Sequence, residues 1–246
     1  MNKKFLIIVA THGDESFSLP ILEKLKIQFP NKIDYIIGNS RALKQDKRFI
    51  DIDLNRVAPG NNDSRLYEEK RAFEIMRTAE DYLFTLDIHG TFSQSGIFVI
   101  VTNPTPANMY LAYSLPIQKI VIWGSKNNGR NTGPLSRFVP CGVGIECGSK
   151  NSIKTKKELC VILKTFLGSS RINYKEKNKK ELYQIFGDVK ENEISDKQKK
   201  RLKDFKEISI NEQKFFPLLV NQYKSEKIVC YKLKKVDFYE KFSFPY

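Results

Sequence analysis

Only two histidines occur in the 246 residues, and each stands beside carboxylates: His12 in Ala10-Thr11-His12-Gly13-Asp14-Glu15, and His89 in Asp87-Ile88-His89-Gly90. His12 and Glu15 are three residues apart, so in a turn or a first helical turn both side chains face one way and can chelate one ion. With the second imidazole of His89 they make the three-protein-ligand set of a hydrolytic zinc, leaving a position for water. A lone HxxE pair is more often a surface or capping pair. The pairing gains weight here because both histidines follow apolar runs, residues 5–9 and 82–86, in a chain with no other histidine. Asp87 lies two before His89, so on an extended strand it points to the same side and can accept the proton of the imidazole's non-ligating nitrogen. The plainer role for Asp87 is to cap the following turn. Mixed His and Glu ligands accept several divalent ions, zinc first among them.

Two other segments carry polar chemistry. Glu146 sits among small and apolar residues in Gly142-Val143-Gly144-Ile145-Glu146-Cys147-Gly148. A carboxylate is costly there unless it has a role or a partner, and partial burial raises its pKa toward that of a general base. The alternative is a salt bridge to one of the many basic residues. Arg48, Asn55 and Arg56 put two guanidinium groups and an amide into one loop. Guanidinium suits bidentate carboxylate recognition and stabilisation of a developing oxyanion, whereas pairing with Asp51 and Asp53 in a solvated loop would be the structural reading.

The elements that must position these residues alternate. Residues 5–10 read as a buried strand, 17–29 as a helix closed by Pro30, and 33–37 as a second strand. Residues 39–60 read as a long irregular loop of the kind that is usually functional. Asp63-Ser64 can cap a helix from Arg65 to about Ala79, with Leu66, Phe73 and Met76 on one side. The strand that delivers His89 to a loop comes next. Residues 96–102, 117–123 and 139–148 read as strands and 106–115 and 153–167 as helices, while Gly124 to Gly133 looks mobile. This is an α/β pattern: a mixed, mostly parallel sheet flanked by helices, with ligands at the carboxyl ends of strands. After a polar linker at 169–180, short strands at 181–186, 215–221 and 228–232 suggest a second, small β-rich unit. The expected division is residues 1–168 and 169–246.

The chain carries 42 Lys and Arg against 28 Asp and Glu, a formal charge of +14. The lysines are thickest in polar stretches and interleaved with acids, which favours a solvated surface over a nucleic-acid footprint. A positive field also draws in small anions. No stretch reads as a signal peptide or a membrane span. Cys141, Cys147, Cys160 and Cys230 show neither CxxC spacing nor a small-domain disulfide pattern, so reduced thiols and a cytoplasmic location are expected.

Taken in order, Thr11-His12-Gly13-Asp14-Glu15, then Arg48-Phe49-Ile50-Asp51-Ile52-Asp53-Leu54-Asn55-Arg56, then Asp87-Ile88-His89-Gly90, then Val143-Gly144-Ile145-Glu146-Cys147-Gly148 resemble the succinylglutamate desuccinylase/aspartoacylase family of zinc hydrolases, relatives of the metallocarboxypeptidases. The resemblance implies one zinc per chain held by His12, Glu15 and His89, with Glu146 activating its water and Arg48 polarising the amide carbonyl. It implies that Asn55, Arg56 and Arg137 grip a substrate carboxylate and that Tyr239, in Asp237-Phe238-Tyr239-Glu240-Lys241, is lent to the site by a capping C-terminal unit. Asn131, Thr132 and Gly133 stand where aspartoacylases carry a tyrosine. The implied activity is deacylation of a small, acidic N-acyl amino acid, with no membrane partner and a homodimer left open. A metallocarboxypeptidase-like peptidase, a basic nucleic-acid-binding protein with a vestigial metal site, and a partner-binding protein without turnover are the rivals.

Overall fold

The computed structural model describes residues 5–124, 131–169 and 180–237. Its centre is one ten-stranded sheet. β1 (Phe5–Val9), β2 (Ile33–Ile37), β3 (Phe84–Thr91), β4 (Ile97–Val101), β5 (Lys119–Ile122) and β6 (Gly142–Gly148) make the N-terminal part. β7 (Glu181–Lys190), β8 (Ile208–Ile210), β9 (Gln213–Leu218) and β10 (Ile228–Val236) make the rest. The strand order is β2-β1-β3-β6-β4-β5-β7-β10-β9-β8. Strands β2, β1, β3 and β6 are mutually parallel, and β4 runs antiparallel to β6. β7 is parallel to β5, so the C-terminal strands extend the same sheet, and β10, β9 and β8 then follow antiparallel.

The run Phe-Leu-Ile-Ile-Val of β1 is apolar throughout because both faces are covered. Phe5, Ile7 and Val9 enter a core with Leu22 and Leu25 of α1 (Leu19–Gln28) and with Leu159, Leu163 and Phe166 of α6 (Ile153–Gly168). Leu6 and Ile8 point the other way, against Ala72, Ile75 and Met76 of α3 (Tyr67–Ala79). Helices α2 (Ser40–Lys44), α4 (Pro106–Ser114), α5 (Leu135–Phe138) and α7 (Asp196–Lys199) complete the set. Among the described residues no helix is long and apolar enough to cross a membrane.

Three local expectations change. Residues 39–60 are not wholly irregular: α2 and a 3₁₀ turn at Leu54–Arg56 interrupt them. In α3 the buried face is Glu68, Ala72, Ile75, Met76 and Ala79, while Leu66 and Phe73 stay exposed. The buried face of α3 includes two alanines and a carboxylate beside Ile75 and Met76, which an apolar count underweights. β3 does not stop before His89 but continues to Thr91. Most of Gly124 to Gly133 and nearly all of the expected linker lie outside the described residues.

Candidate metal centre and cavity

His12 leaves β1 on a tight loop that turns at Ala10, whose φ is +51°. Gly13 follows it because a Cβ there would come within 2.2 Å of the Ala42 backbone in α2. His89 arrives from β3, the strand beside β1. The loop and the strand bring one ligand atom each of His12, Glu15 and His89 within 4.8 Å of one another, all buried. Glu15 is the hinge of the group. Its Oε1 lies 2.9 Å from His12 Nδ1 and its Oε2 lies 3.3 Å from His89 Nδ1, while Oε2 also accepts the Gly90 N–H at 2.9 Å.

Each imidazole has a carboxylate on its other nitrogen. His12 Nε2 is 3.0 Å from Asp53 Oδ1. His89 Nε2 lies 2.9 Å from Asp87 Oδ2 without hydrogen-bond alignment, and the other Asp87 oxygen accepts from Thr11 Oγ1 at 2.7 Å. If His12 donates from Nε2 to Asp53, its Nδ1 lone pair faces a carboxylate oxygen, an arrangement relieved either by a second proton on the ring or by a cation shared with Glu15. Burial works to lower both imidazole pKa values, but the carboxylates outweigh it: Glu15 and Asp53 raise that of His12, and Asp87 and Glu15 raise that of His89. Burial likewise opposes ionisation of Glu15 and Asp53, yet their imidazole partners hold both far below the usual carboxylate range. The site is thus built to concentrate positive charge. Two imidazoles and a carboxylate with open nitrogens fit one divalent ion.

Glu146 stands opposite His89 in the β3–β6 ladder. Among the described residues it makes no ion pair with Lys or Arg, so the salt-bridge alternative is not what the fold builds. It keeps an edge on the cavity, and burial pushes its pKa up to about 7, with His89 pulling down and Glu15 pushing up. The cavity is about 660 Å³ and is lined by Asn55, Arg56, His89, Arg137 and Glu146. Strands β7 and β10 and the turn between β9 and β10 close its other side, with Tyr223 and Tyr231.

Arg48 lies at the edge of the group rather than free in solvent. Its Nη2 donates to Asp53 Oδ2 at 3.0 Å, and its Nη1 is 3.7 Å from Glu15 Oε1. Asn55 spends its carbonyl on the Leu135 N–H at 3.2 Å, and its Nδ2 approaches His89 Nε2 to 3.5 Å. Arg56 Nη1 donates to the Asn55 backbone carbonyl at 3.0 Å, a different oxygen from the side-chain one that Leu135 uses. Arg137 is delivered by α5, its guanidinium 5.3 Å from the centre of the Phe138 ring. Tyr239 lies outside the described residues.

Sequence reasoning passed over three residues. Asp53 was seen only as a pairing partner for loop arginines, although its place inside the motif between Arg48 and Asn55 was a signal. Tyr223 reaches the cavity from a turn with no local pattern to mark it. Gln222 beside it accepts from Thr91 Oγ1 at 2.7 Å and from the Phe92 N–H at 3.0 Å, tying that turn to the end of the strand that carries His89.

The succinylglutamate desuccinylase/aspartoacylase catalytic domain matches residues 2–163. The chain belongs to this family. A probable aspartoacylase of Acaryochloris marina is 29% identical over 164 residues, covering 59% of this chain and 55% of that protein. One from Trichodesmium erythraeum is 31% identical over 125 residues, covering 44% of this chain and 42% of the other. The chain therefore spans about half the length of the curated relatives it matches. Murine aminoacylase 3 shares the fold with a TM-score of 0.71 at 16% identity, covering 96% of each chain. Succinylglutamate desuccinylase from Chromobacterium violaceum gives 0.71 at 14% identity, covering 97% of this chain and 86% of that one. The family membership and the mixed sheet agree with the expectations drawn from the four motifs.

Proposed function

We propose that this chain is a metal-dependent amidohydrolase that removes the acyl group from a small, acidic N-acyl amino acid. The reading rests on one observation: His12, Glu15 and His89 converge within 4.8 Å of one another, and His89, the member of the trio that reaches the cavity, lines its wall together with Glu146. A divalent ion held by these three residues, zinc by donor chemistry, would supply a Lewis acid for the acyl carbonyl and bring water into ionisation near neutral pH.

The chain's own groups do the rest. Asp53 fixes the His12 ring and Asp87 sits behind His89, so both Nδ1 atoms stay aimed at Glu15. Glu146, with a pKa near 7, takes the proton from the attacking water and returns it to the leaving amine, a two-way role that a carboxylate of ordinary pKa performs poorly. Arg48 donates to the oxygen on which negative charge develops. Asn55, Arg56 and Arg137 hold the substrate carboxylate, and the positive field of the chain draws the anion in. The described C-terminal strands β7 and β10 and the turn before β10 form the cap, with Tyr223 on the cavity.

The experiment is metal content of the purified protein, paired with hydrolysis of a panel of N-acetyl and N-succinyl amino acids by wild type and Glu146→Ala. One metal per chain, with turnover that collapses in the variant while metal is retained, supports separate roles for ligands and base. Activity indifferent to Glu146 would overturn the mechanism.

A further inference from the structure

The loop that carries Arg48, Asp53, Asn55 and Arg56 has almost no repetitive structure of its own, yet every one of these residues must be placed to within a fraction of an ångström. What holds it is a carboxylate that does not line the cavity. Glu68, in the first turn of α3, is wholly buried. Its Oε1 accepts the Ile50 N–H at 2.7 Å and the Asn39 side-chain amide at 2.9 Å, and its Oε2 accepts the Asp51 N–H at 3.1 Å and the Ile52 N–H at 3.3 Å. The contact is reciprocal. Asp51 Oδ2 accepts the Tyr67 N–H at 2.8 Å, one of the donors that a helix start leaves unsatisfied. Asn39 in turn caps α2 by accepting the Ala42 N–H, and α2 is the helix against which Gly13 packs.

We propose that Glu68 is a positioning residue for the metal centre, acting through the backbone of residues 50–52. The inference rests on the hydrolase reading for its catalytic consequence, though not for its structural one. Three consecutive N–H groups gathered on one buried carboxylate fix the chain immediately before Asp53. Asp53 is the residue that orients His12 and restrains Arg48, so a loosened clip reaches the metal ligand and the oxyanion donor together. A buried carboxylate is destabilising unless its lone pairs are used, and here four donors use them. Glu68→Gln keeps the shape but turns an NH₂ toward donors that need an acceptor.

The test compares wild type, Glu68→Gln, Asp51→Asn and Ile75→Val. Ile75→Val is a control that weakens the same helix through the core without touching the clip. Amide exchange of residues 50–52 in the metal-free protein should accelerate at least tenfold in Glu68→Gln and not in Ile75→Val. Metal affinity by chelator competition should weaken roughly tenfold, in the range seen when support behind a metal-bound histidine is lost. The deacylase should lose kcat more than it gains in KM. If Glu68→Gln does not fold, Asp51→Asn, at an exposed position, carries the same readouts with smaller effects. Unchanged exchange, or faster exchange with metal affinity intact, would overturn the proposal. If exchange and metal affinity respond but the wild type turns over no N-acyl amino acid, the hydrolase reading has failed and the clip stands.

Discussion

Glu146 and His89 are paired across the β3–β6 ladder, so a carboxyl whose pKa burial raises to about 7 and an imidazole of the candidate metal trio are held in register by the sheet itself and not by a loop. Glu146→Gln should therefore leave metal content unchanged while lowering kcat by about 10² to 10⁴, the usual weight of a general base. Parallel loss of metal and activity would place Glu146 among the ligands instead.

The raised Glu146 pKa has a consequence for stability in chelator-treated protein. The folded carboxyl binds its proton up to about pH 7, whereas the unfolded one releases it near 4.5. Its contribution is thus fully present below the unfolded value and is lost as pH rises through 7. Denaturant midpoints of wild type relative to Glu146→Gln should fall between pH 5 and 7.5 and level off above. A flat difference would mean that the carboxyl is hydrated and ordinary.

Removing the divalent ion should destabilise the protein, because the buried imidazole and carboxylate donors lose their shared cation. Adding zinc at 100 times its Kd should raise stability by about 2.7 kcal/mol by mass action. Calorimetry of chelator-treated samples of wild type and His89→Ala, with and without added zinc, checks this: the variant should show little or no zinc-dependent rise in Tm.

Asp53→Asn keeps the volume of the side chain but removes the negative charge beside His12 Nε2. Metal affinity should fall by about 10- to 100-fold, as for other partners of metal-bound histidines. The same variant should free the Arg48 guanidinium, so KM and kcat both change. Isothermal titration with zinc, together with steady-state kinetics, separates the two effects.

The α/β order and the candidacy of His12, Glu15 and His89, which the fold brings together, were legible in the sequence because their signals are local. Apolar runs gave β1 and β3, and histidines are rare enough here that position carried information. Glu146 was legible because a carboxylate stood out between glycines and aliphatics. Asp53, Glu68 and Tyr223 were not. Their roles depend on contacts across 41, 18 or more residues, and in the sequence Glu68 is one of many acids on a helix. The same blindness hid the join between β5 and β7, since parallel pairing across a long connection leaves no mark in either strand.

That join bears on how substrate enters. The cavity's two walls, one bearing Glu146 on β6 and the other Tyr231 on β10, belong to a single hydrogen-bonded sheet running through β6, β4, β5, β7 and β10. Swinging them apart would break the four β5–β7 residue pairs from Lys119–Glu181 to Ile122–Gln184. A hinge between the two parts of the sheet would therefore have to break backbone pairing, so any opening of the pocket falls to the turns at its rim and not to the sheet.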